Sequence, residues 1–402
     1  MSLNRILKKK NLIVVGLNSG TSADGLDLAV VKINLFSKTP VLKFIQGVTV
    51  GYPKDISLLI NDAIANEISS IDTMIELDRK LGTFYGEQAR KFCQVLAKNK
   101  IYPDIIASHG QTIRHLPGKV KIGRKFESGT LQLGHPETIS NKTGLLTVAD
   151  FRQADIAGGG EGAPITCWAM KQLFASKNES RMLINIGGIA NYFFIPKKSS
   201  TKKMIAADCG PGNSLIDIIT LKYFGKRFDY GGRLASKGKI SFRLLTILMA
   251  DNFLKGKYGP STGKERFGEK FAKKIVSYGS KMKLKKHDIL ATTTELTAVS
   301  IVNSIEKIAK NNGIDKIYLL GGGTSNQFLL KRLEANLPGV GFFSVDRLGF
   351  NPDYLEAVCY AIMGAGAISG LSTVYGYITG ARENSLGGRI VQPSRIVDYR
   401  KK

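Results

Sequence analysis

An α/β fold of two lobes around a central cleft is what this sequence predicts, and three observations carry the prediction. The chain has 402 residues, too many for one small core, so two domains are the default. Four apolar runs each end in a glycine-rich turn: "LNSGTSADGLD" (Leu17 to Asp27), "NIGGIAN", "DCGPGN" and "LLGGGTSN". Two of those turns lead into helical patterns, where glycine lets backbone N–H groups approach a ligand and the helix N-terminus favours an anion. One such turn alone reads as a plain tight turn. Two β-turn-β hairpins about one domain apart, with a later strand-GGG-helix, predict two similar halves gripping one phosphate chain from both sides.

Composition limits the alternatives. Hydrophobic residues make up 43% and charged residues 22%, as in ordinary folded proteins. Lys and Arg number 58 against 32 Asp and Glu, a formal charge of +26 that suits an anionic partner. The lysines are scattered, with no basic block interleaved with aromatics, so no nucleic-acid partner is expected. Four cysteines, Cys93, Cys167, Cys209 and Cys359, form no CxxC or metal-spaced pair, and point to a reducing compartment. The basic "RILKKK" precedes an apolar run too short for a signal-peptide core, and nothing reaches the length of a membrane span. The expectation is a cytoplasmic protein with no membrane partner.

Along the chain, strands are expected near 12–18, 27–35, 42–50 and 104–109. A long helix is expected through "IDTMIELDRKLGTFYGEQARKFCQVLAKN". The N-terminal lobe is read as 1–150 and the second as 151–402, with the joint in the Gly-rich "ADIAGGGEGAP". "KKSSTKK" at 197–203 reads as an exposed hairpin loop, and "GKYGPSTGKERFG" as a Gly- and Lys-rich insert. A Walker loop (GxxxxGK[ST]) is missing and no GxGxxG follows the first strand, so P-loop and Rossmann readings fall away.

Eight motifs occur in order over nearly the whole chain: "GTSADGLD", "SHGQTIRHLP", "TVADFRQADIAGGGEGAP", "NIGGIAN", "DCGPGN", "TELTA", "GGGTSN" and "PDYLEAVCYA". Together they resemble the 1,6-anhydro-N-acetylmuramic acid kinases of the actin/hexokinase-like (ribonuclease H-like) superfamily, of which levoglucosan kinase is a related member. This sequence departs from the family pattern in having His135 in "GHP", where "GDP" is usual, and Glu161 in "EGAP", where "QGAP" is usual.

The resemblance implies ATP and Mg2+ as cofactors and a small anhydro sugar as the second substrate. Water attacks the anomeric carbon, the internal ether opens, and the released oxygen takes the γ-phosphate of ATP. Such chemistry needs a carboxylate base, cations for the phosphates and a polar cradle for the sugar. Asp208, at the end of an apolar strand and in the family's catalytic position, is the expected base; Asn213 is read as the cap of the helix that follows. Gly20, Thr21, Ser22 and Gly25 would offer donors to the β- and γ-phosphates, and Asp24 would orient a magnesium-bound water. Asp27 reads as a turn-closing residue as readily as a ligand. Gly187, Gly188 and Asn191, with Gly210 and Gly212 beside Asn213, would form the facing phosphate site. Gly321, Gly322, Gly323 and Asn326 would carry the adenosine.

The sugar wall is expected from His109, Gln111 and Arg114, with Asp150 and Arg152 downstream; the planar fork of Arg152 matches a lactyl carboxylate. Glu295 is read near a helix start, either as a first-turn acid capped with Thr292 or Thr293 or, by family position, as a sugar contact. Glu356 is read at another helix start, as a magnesium ligand or an N-terminal helix charge. A phosphatase or polyphosphate hydrolase on the same scaffold would share the phosphate turns and the aspartate but not the adenosine turn. A homodimer is left open.

Overall fold

The computed structural model describes residues 3–20, 25–36, 41–65, 70–256, 262–263 and 265–400. They fall into two compact units, Met1–Leu173 with Asp353–Lys402, and Phe174–Pro352. The expected boundary at Asp150 thus lies inside the first unit, and the last fifty residues return to it instead of finishing the second. Chain continuity suggested otherwise, but packing decides where a unit ends.

The strands, in chain order, are β1 (Leu12–Ser19), β2 (Gly25–Asn34), β3 (Val41–Gly51), β4 (Ile105–Ile122), β5 (Lys125–Leu133), β6 (Leu146–Ala149), β7 (Arg181–Ile186), β8 (Ile189–Ile195), β9 (Ile205–Pro211), β10 (Lys316–Leu320), β11 (Phe342–Ser344) and β12 (Arg389–Val391). The first unit holds the order β12-β6-β4-β1-β2-β3, with β5 paired to β4; the second holds β11-β10-β7-β8-β9. Each sheet is built the same way. An antiparallel meander (β1-β2-β3 or β7-β8-β9) comes first, and its first strand then takes a parallel neighbour, β4 or β10. A two-residue Gly187-Gly188 turn is enough to join antiparallel β7 and β8, while parallel pairing needs the long crossovers that the helices supply. The same topology is thus used twice in a mixed α/β chain of two compact units, as the two-lobed expectation required.

In the first unit the helix Ile71–Lys98 covers one sheet face, burying Leu77, Leu81, Tyr85, Ala89 and Phe92 at helical spacing. It starts on an N-cap Ser70 whose side chain accepts from the Asp72 N–H, and it matches the predicted span. The apolar helix Leu355–Ile368 packs on β1, β2 and β4, which is why the C-terminal segment belongs here. Gly16 makes that approach feasible, because a Cβ there would stand 1.9 Å from the Ala357 carbonyl oxygen. β4 runs well past the predicted 104–109, since alternation continues through an irregular hairpin with β5 that shifts register between Leu116 and Val120. The "ADIAGGGEGAP" stretch is pinned inside this unit. Buried Asp155 accepts from the Gly162 N–H at 2.8 Å and from the Thr379 hydroxyl at 2.6 Å.

The second unit packs the helix Lys286–Asn312 against β9 and against the helices Asn213–Phe224 and Gln327–Asn336. The segment 197–203 joins β8 to β9 as a mostly exposed loop, as predicted.

Candidate active site

Asp208 sits on β9 opposite Asn191 of β8, and Asn191 lies opposite Asn185 of β7. Directly opposed residues in antiparallel strands share a face. Asn185, Asn191 and Asp208 therefore form one polar row across an otherwise apolar meander. Burial raises the proton affinity of Asp208, to a pKa of about 6; nearby Glu265 adds to this, and the Thr262 N–H, donating to Oδ2 at 2.7 Å, opposes it. At neutral pH the group is mostly ionised yet a far better proton acceptor than a surface carboxylate, as a general base requires.

The row continues at its other end into the triple-glycine turn. Leu320 of β10 pairs with Asn185, and Gly321 follows with φ +85°. A Cβ on Gly321 would lie 2.4 Å from Asn185 Oδ1, so only glycine fits. The turn residues Gly322 and Gly323 form a short 3-10 helix. Asn326 is not left for a ligand: its Oδ1 accepts from the Leu329 N–H at 3.0 Å and caps the helix Gln327–Asn336. Its position at the turn–helix junction, with extended φ and ψ, makes it an N-cap.

Gly187 and Gly188 turn β7 into β8, and their carbonyls are spent locally. Gly212 N–H donates to Gly188 O at 2.9 Å, Asn213 N–H to Gly187 O at 2.8 Å and Ser214 N–H to Gly188 O at 3.1 Å. The cap residue of the helix Asn213–Phe224 is Gly212 rather than Asn213, whose side chain donates to Ile186 O at 3.2 Å. The first donors of this helix thus lock the hairpin in place and are not aimed at an anion. Gly210 reaches φ +136° against Leu254 and Ser300.

Glu295 also differs from its sequence reading. It lies ten residues into the helix Lys286–Asn312, whose cap is Lys285, so neither Thr292 nor Thr293 caps with it. The reason is that the apolar pattern extends a further two turns toward the N-terminus. Its carboxylate is buried and held by Arg332 (Nε–Oε2 2.6 Å, a second N–H at 3.0 Å) and by Asn336 Nδ2 at 2.9 Å. The bidentate pair ties the helix that follows the triple-glycine turn to the longest helix of the unit.

In the first unit the residues Thr21, Ser22 and Asp24 lie outside the described residues. Their flanks are held firmly. Gln111 is fully buried: its Oε1 accepts from the Ser19 hydroxyl and its Nε2 donates to Gly20 O at 3.4 Å and Thr112 O at 3.2 Å. Ser19 in turn accepts from Tyr52 OH at 2.7 Å, and Tyr52 OH meets Tyr85 OH at 2.6 Å. Gln111 therefore braces the turn instead of lining a sugar wall. Gly25 opens β2, and Asp27, inside that strand, accepts from the Thr49 hydroxyl of β3 at 2.6 Å across the sheet. Glu356 lies in the first turn of its helix, exposed, with Oε2 accepting from buried Asn18 Nδ2 at 2.8 Å.

His109 and Arg152 are brought together: Arg152 Nε donates to His109 Nε2 at 3.0 Å, and a second N–H donates to Gly162 O at 2.7 Å. His109 stacks on Tyr360 with ring centroids 4.4 Å apart, and burial, then the Arg152 charge, keeps its pKa well below the usual value. It is a neutral acceptor that aims the guanidinium. Asp150 pairs with Arg389 at 3.1 Å (Nε–Oδ2). Arg114 is exposed on β4. His135 holds the cap position of the helix Pro136–Thr143 without a side-chain cap bond; its N–H and that of Gly134 both donate to Asp78 Oδ1.

Sequence reasoning missed Asn18, Asn185, Tyr52, Tyr85, Thr262 and Arg332. Only Asn18 and Asn185 carried a signal, as amides at the C-terminal ends of apolar strands just before glycine turns.

A family model described as "Anhydro-N-acetylmuramic acid kinase" matches residues 12–393. A relative of that name from Caldanaerobacter subterraneus subsp. tengcongensis is 38% identical over 395 residues, covering 96% of this chain and 99% of the relative. Relatives of the same name from Pseudoalteromonas translucida and Bacillus anthracis are each 34% identical, covering 91% and 95% of this chain and 92% and 100% of their own.

Proposed function

The chain belongs to the anhydro-N-acetylmuramic acid kinase family, and on that premise we infer that it is an ATP-dependent kinase of cell-wall sugar recycling. It opens the 1,6-anhydro ring of anhydro-N-acetylmuramic acid with water and phosphorylates O6, giving N-acetylmuramic acid 6-phosphate. The observation that carries the catalytic part is Asp208. It is a half-buried carboxylate with raised proton affinity, in a polar row that begins at a glycine-only turn.

In this reading Asp208 takes a proton from the attacking water. The water oxygen bonds to the anomeric carbon as the internal C–O bond breaks, and the released O6 displaces ADP from the γ-phosphate. Within the second unit, the Gly187-Gly188 hairpin would meet the phosphates and the 321–323 turn the adenosine. Among the described residues no three His, Cys, Asp or Glu side chains gather as a metal cage. Magnesium does not require one, since it keeps several waters and takes one or two carboxylates plus phosphates. Glu356, steadied by Asn18, and Asp24 would hold it, and when bound it neutralises phosphate charge. No helix among the described residues is long and apolar enough to cross a membrane. The four cysteines are all buried and free, which supports a reducing, cytoplasmic setting.

The sugar is tested through Arg152, which His109 and Gly162 hold in place for a carboxylate. Anhydro-N-acetylmuramic acid bears a lactyl carboxylate; levoglucosan bears only hydroxyls. Arg152 is half-buried, and leaving a desolvated cation unpaired costs roughly 2–5 kcal/mol. ATP consumption on an anhydro-sugar panel is expected to show a kcat/KM preference for the muramic substrate of at least about a hundredfold. Arg152→Ala shrinks that gap. Equal turnover of levoglucosan by the wild-type protein would remove the muramic assignment and leave the kinase.

A further inference from the structure

The segment between the helices Phe242–Met249 and Glu269–Lys281 reaches Asp208 through one described residue, Thr262. Its backbone N–H donates to Asp208 Oδ2 at 2.7 Å. Its hydroxyl oxygen is buried and has no hydrogen-bond partner among the described residues. A buried hydroxyl without a partner is costly, and such an atom calls for a ligand to explain it. The C-terminal base of the segment is anchored: Arg266 donates to both Asp251 oxygens at 3.1 Å, and fully buried Phe267 packs edge-on against Phe253 and Phe271. Ser214, at the start of the helix after the Gly-Pro-Gly turn, donates to Phe267 O at 2.9 Å. The segment and the strand that carries Asp208 are thereby tied to the same helix.

We propose that Thr262 is the second functional group of the Asp208 site. Its N–H fixes the orientation of the carboxylate, and its hydroxyl binds an oxygen of the hydroxylic ligand, water or sugar, on which Asp208 acts. The backbone bond occupies one carboxylate oxygen and leaves Oδ1 to take the proton. The side chain of the same residue then stands beside that carboxylate, where a donor or acceptor for the reacting oxygen belongs. Asn191, opposite Asp208 on β8, borders the group on the sheet side.

The proposal rests on the reading of Asp208 as the base, and the experiment separates the two. Steady-state kinetics are measured with ATP and anhydro-N-acetylmuramic acid on Asp208→Asn, Thr262→Val and Thr262→Ser, with a thermal melt of each. If Asp208→Asn retains near-normal turnover, the base reading fails whatever Thr262 does. With Asp208 essential, Thr262→Val keeps the N–H and the shape and removes only the hydroxyl. It is expected to lower kcat ten- to a hundredfold, to leave KM for ATP within about threefold, and to melt no lower than wild type. Thr262→Ser restores kcat to within about threefold. Wild-type kcat in Thr262→Val would overturn the hydroxyl role. An equal loss in the Val and Ser variants would also overturn it, since that pattern reports a disturbed segment and not a missing donor.

Discussion

Asp208 pays for its basicity in stability. Its folded pKa, about 6, lies above the usual 3.8 of an aspartate, because burial disfavours the charged form. The folded state therefore binds the proton more tightly than the unfolded chain. The contribution of this group is fully present below pH 4 and is lost as pH rises through about 6. Asp208→Asn removes that loss while its amide oxygen can still accept from Thr262. At pH 8 the variant is expected to be more stable than wild type, by on the order of 2 kcal/mol, with the difference vanishing near pH 4. Turnover falls by several orders of magnitude and ATP binding stays close to normal. Paired denaturant melts at the two pH values and nucleotide titration check this; a variant less stable at pH 8 would mean that the carboxylate is not strained by burial.

At the scale of elements, the first glycine turn depends on a chain of hydroxyls that runs through three parts of the unit. Tyr85 comes from the helix Ile71–Lys98, Tyr52 follows β3, and Ser19 and Gln111 end the parallel pair β1 and β4. Removing the middle member leaves two buried polar atoms short of a partner. Tyr52→Phe is expected to lower stability by about 1–2 kcal/mol. It should also raise KM for ATP with little change in kcat, because the turn loosens while Asp208 is untouched. Chemical denaturation and nucleotide-dependent kinetics read the two effects separately; unchanged KM for ATP would count against a nucleotide role for the turn. The sequence shows each of these residues but not their meeting, since 92 positions separate Ser19 from Gln111. Glu295 teaches the same lesson: its neighbours in sequence suggest a helix start, and a partner 37 residues later decides its role.

For the whole molecule, the second unit is one continuous segment, Phe174–Pro352, whereas the first is assembled from Met1–Leu173 and Asp353–Lys402. Each has its own sheet, and the second has its own apolar clusters around β7, β8 and the helix Lys286–Asn312. A fragment of residues 174–352 is expected to unfold cooperatively on its own. A fragment of residues 1–173 is not, because it lacks the helix Leu355–Ile368 that covers β1, β2 and β4, and it lacks β12, the partner of β6. Adding residues 353–402 in trans should restore a cooperative melt. Circular dichroism of the fragments decides it, and a cooperative 1–173 fragment would show that the C-terminal segment is dispensable.

Much of this was legible in the residues themselves. Glycine turns after β-branched runs gave the hairpins, helical spacing gave the helix Ile71–Lys98, and the aspartate beside a Gly-Pro-Gly turn gave Asp208. These are local signals, written within a few residues by backbone freedom and side-chain periodicity. What only the tertiary structure decided is the use of each polar group. Gln111 and Asn326 look like ligands in sequence and are spent on a brace and a cap; Thr262 looks like part of a featureless insert and meets Asp208. The physical reason is that a buried donor or acceptor must be satisfied by whatever packing brings to it, and those partners lie on other elements, at distances along the chain that no local pattern encodes.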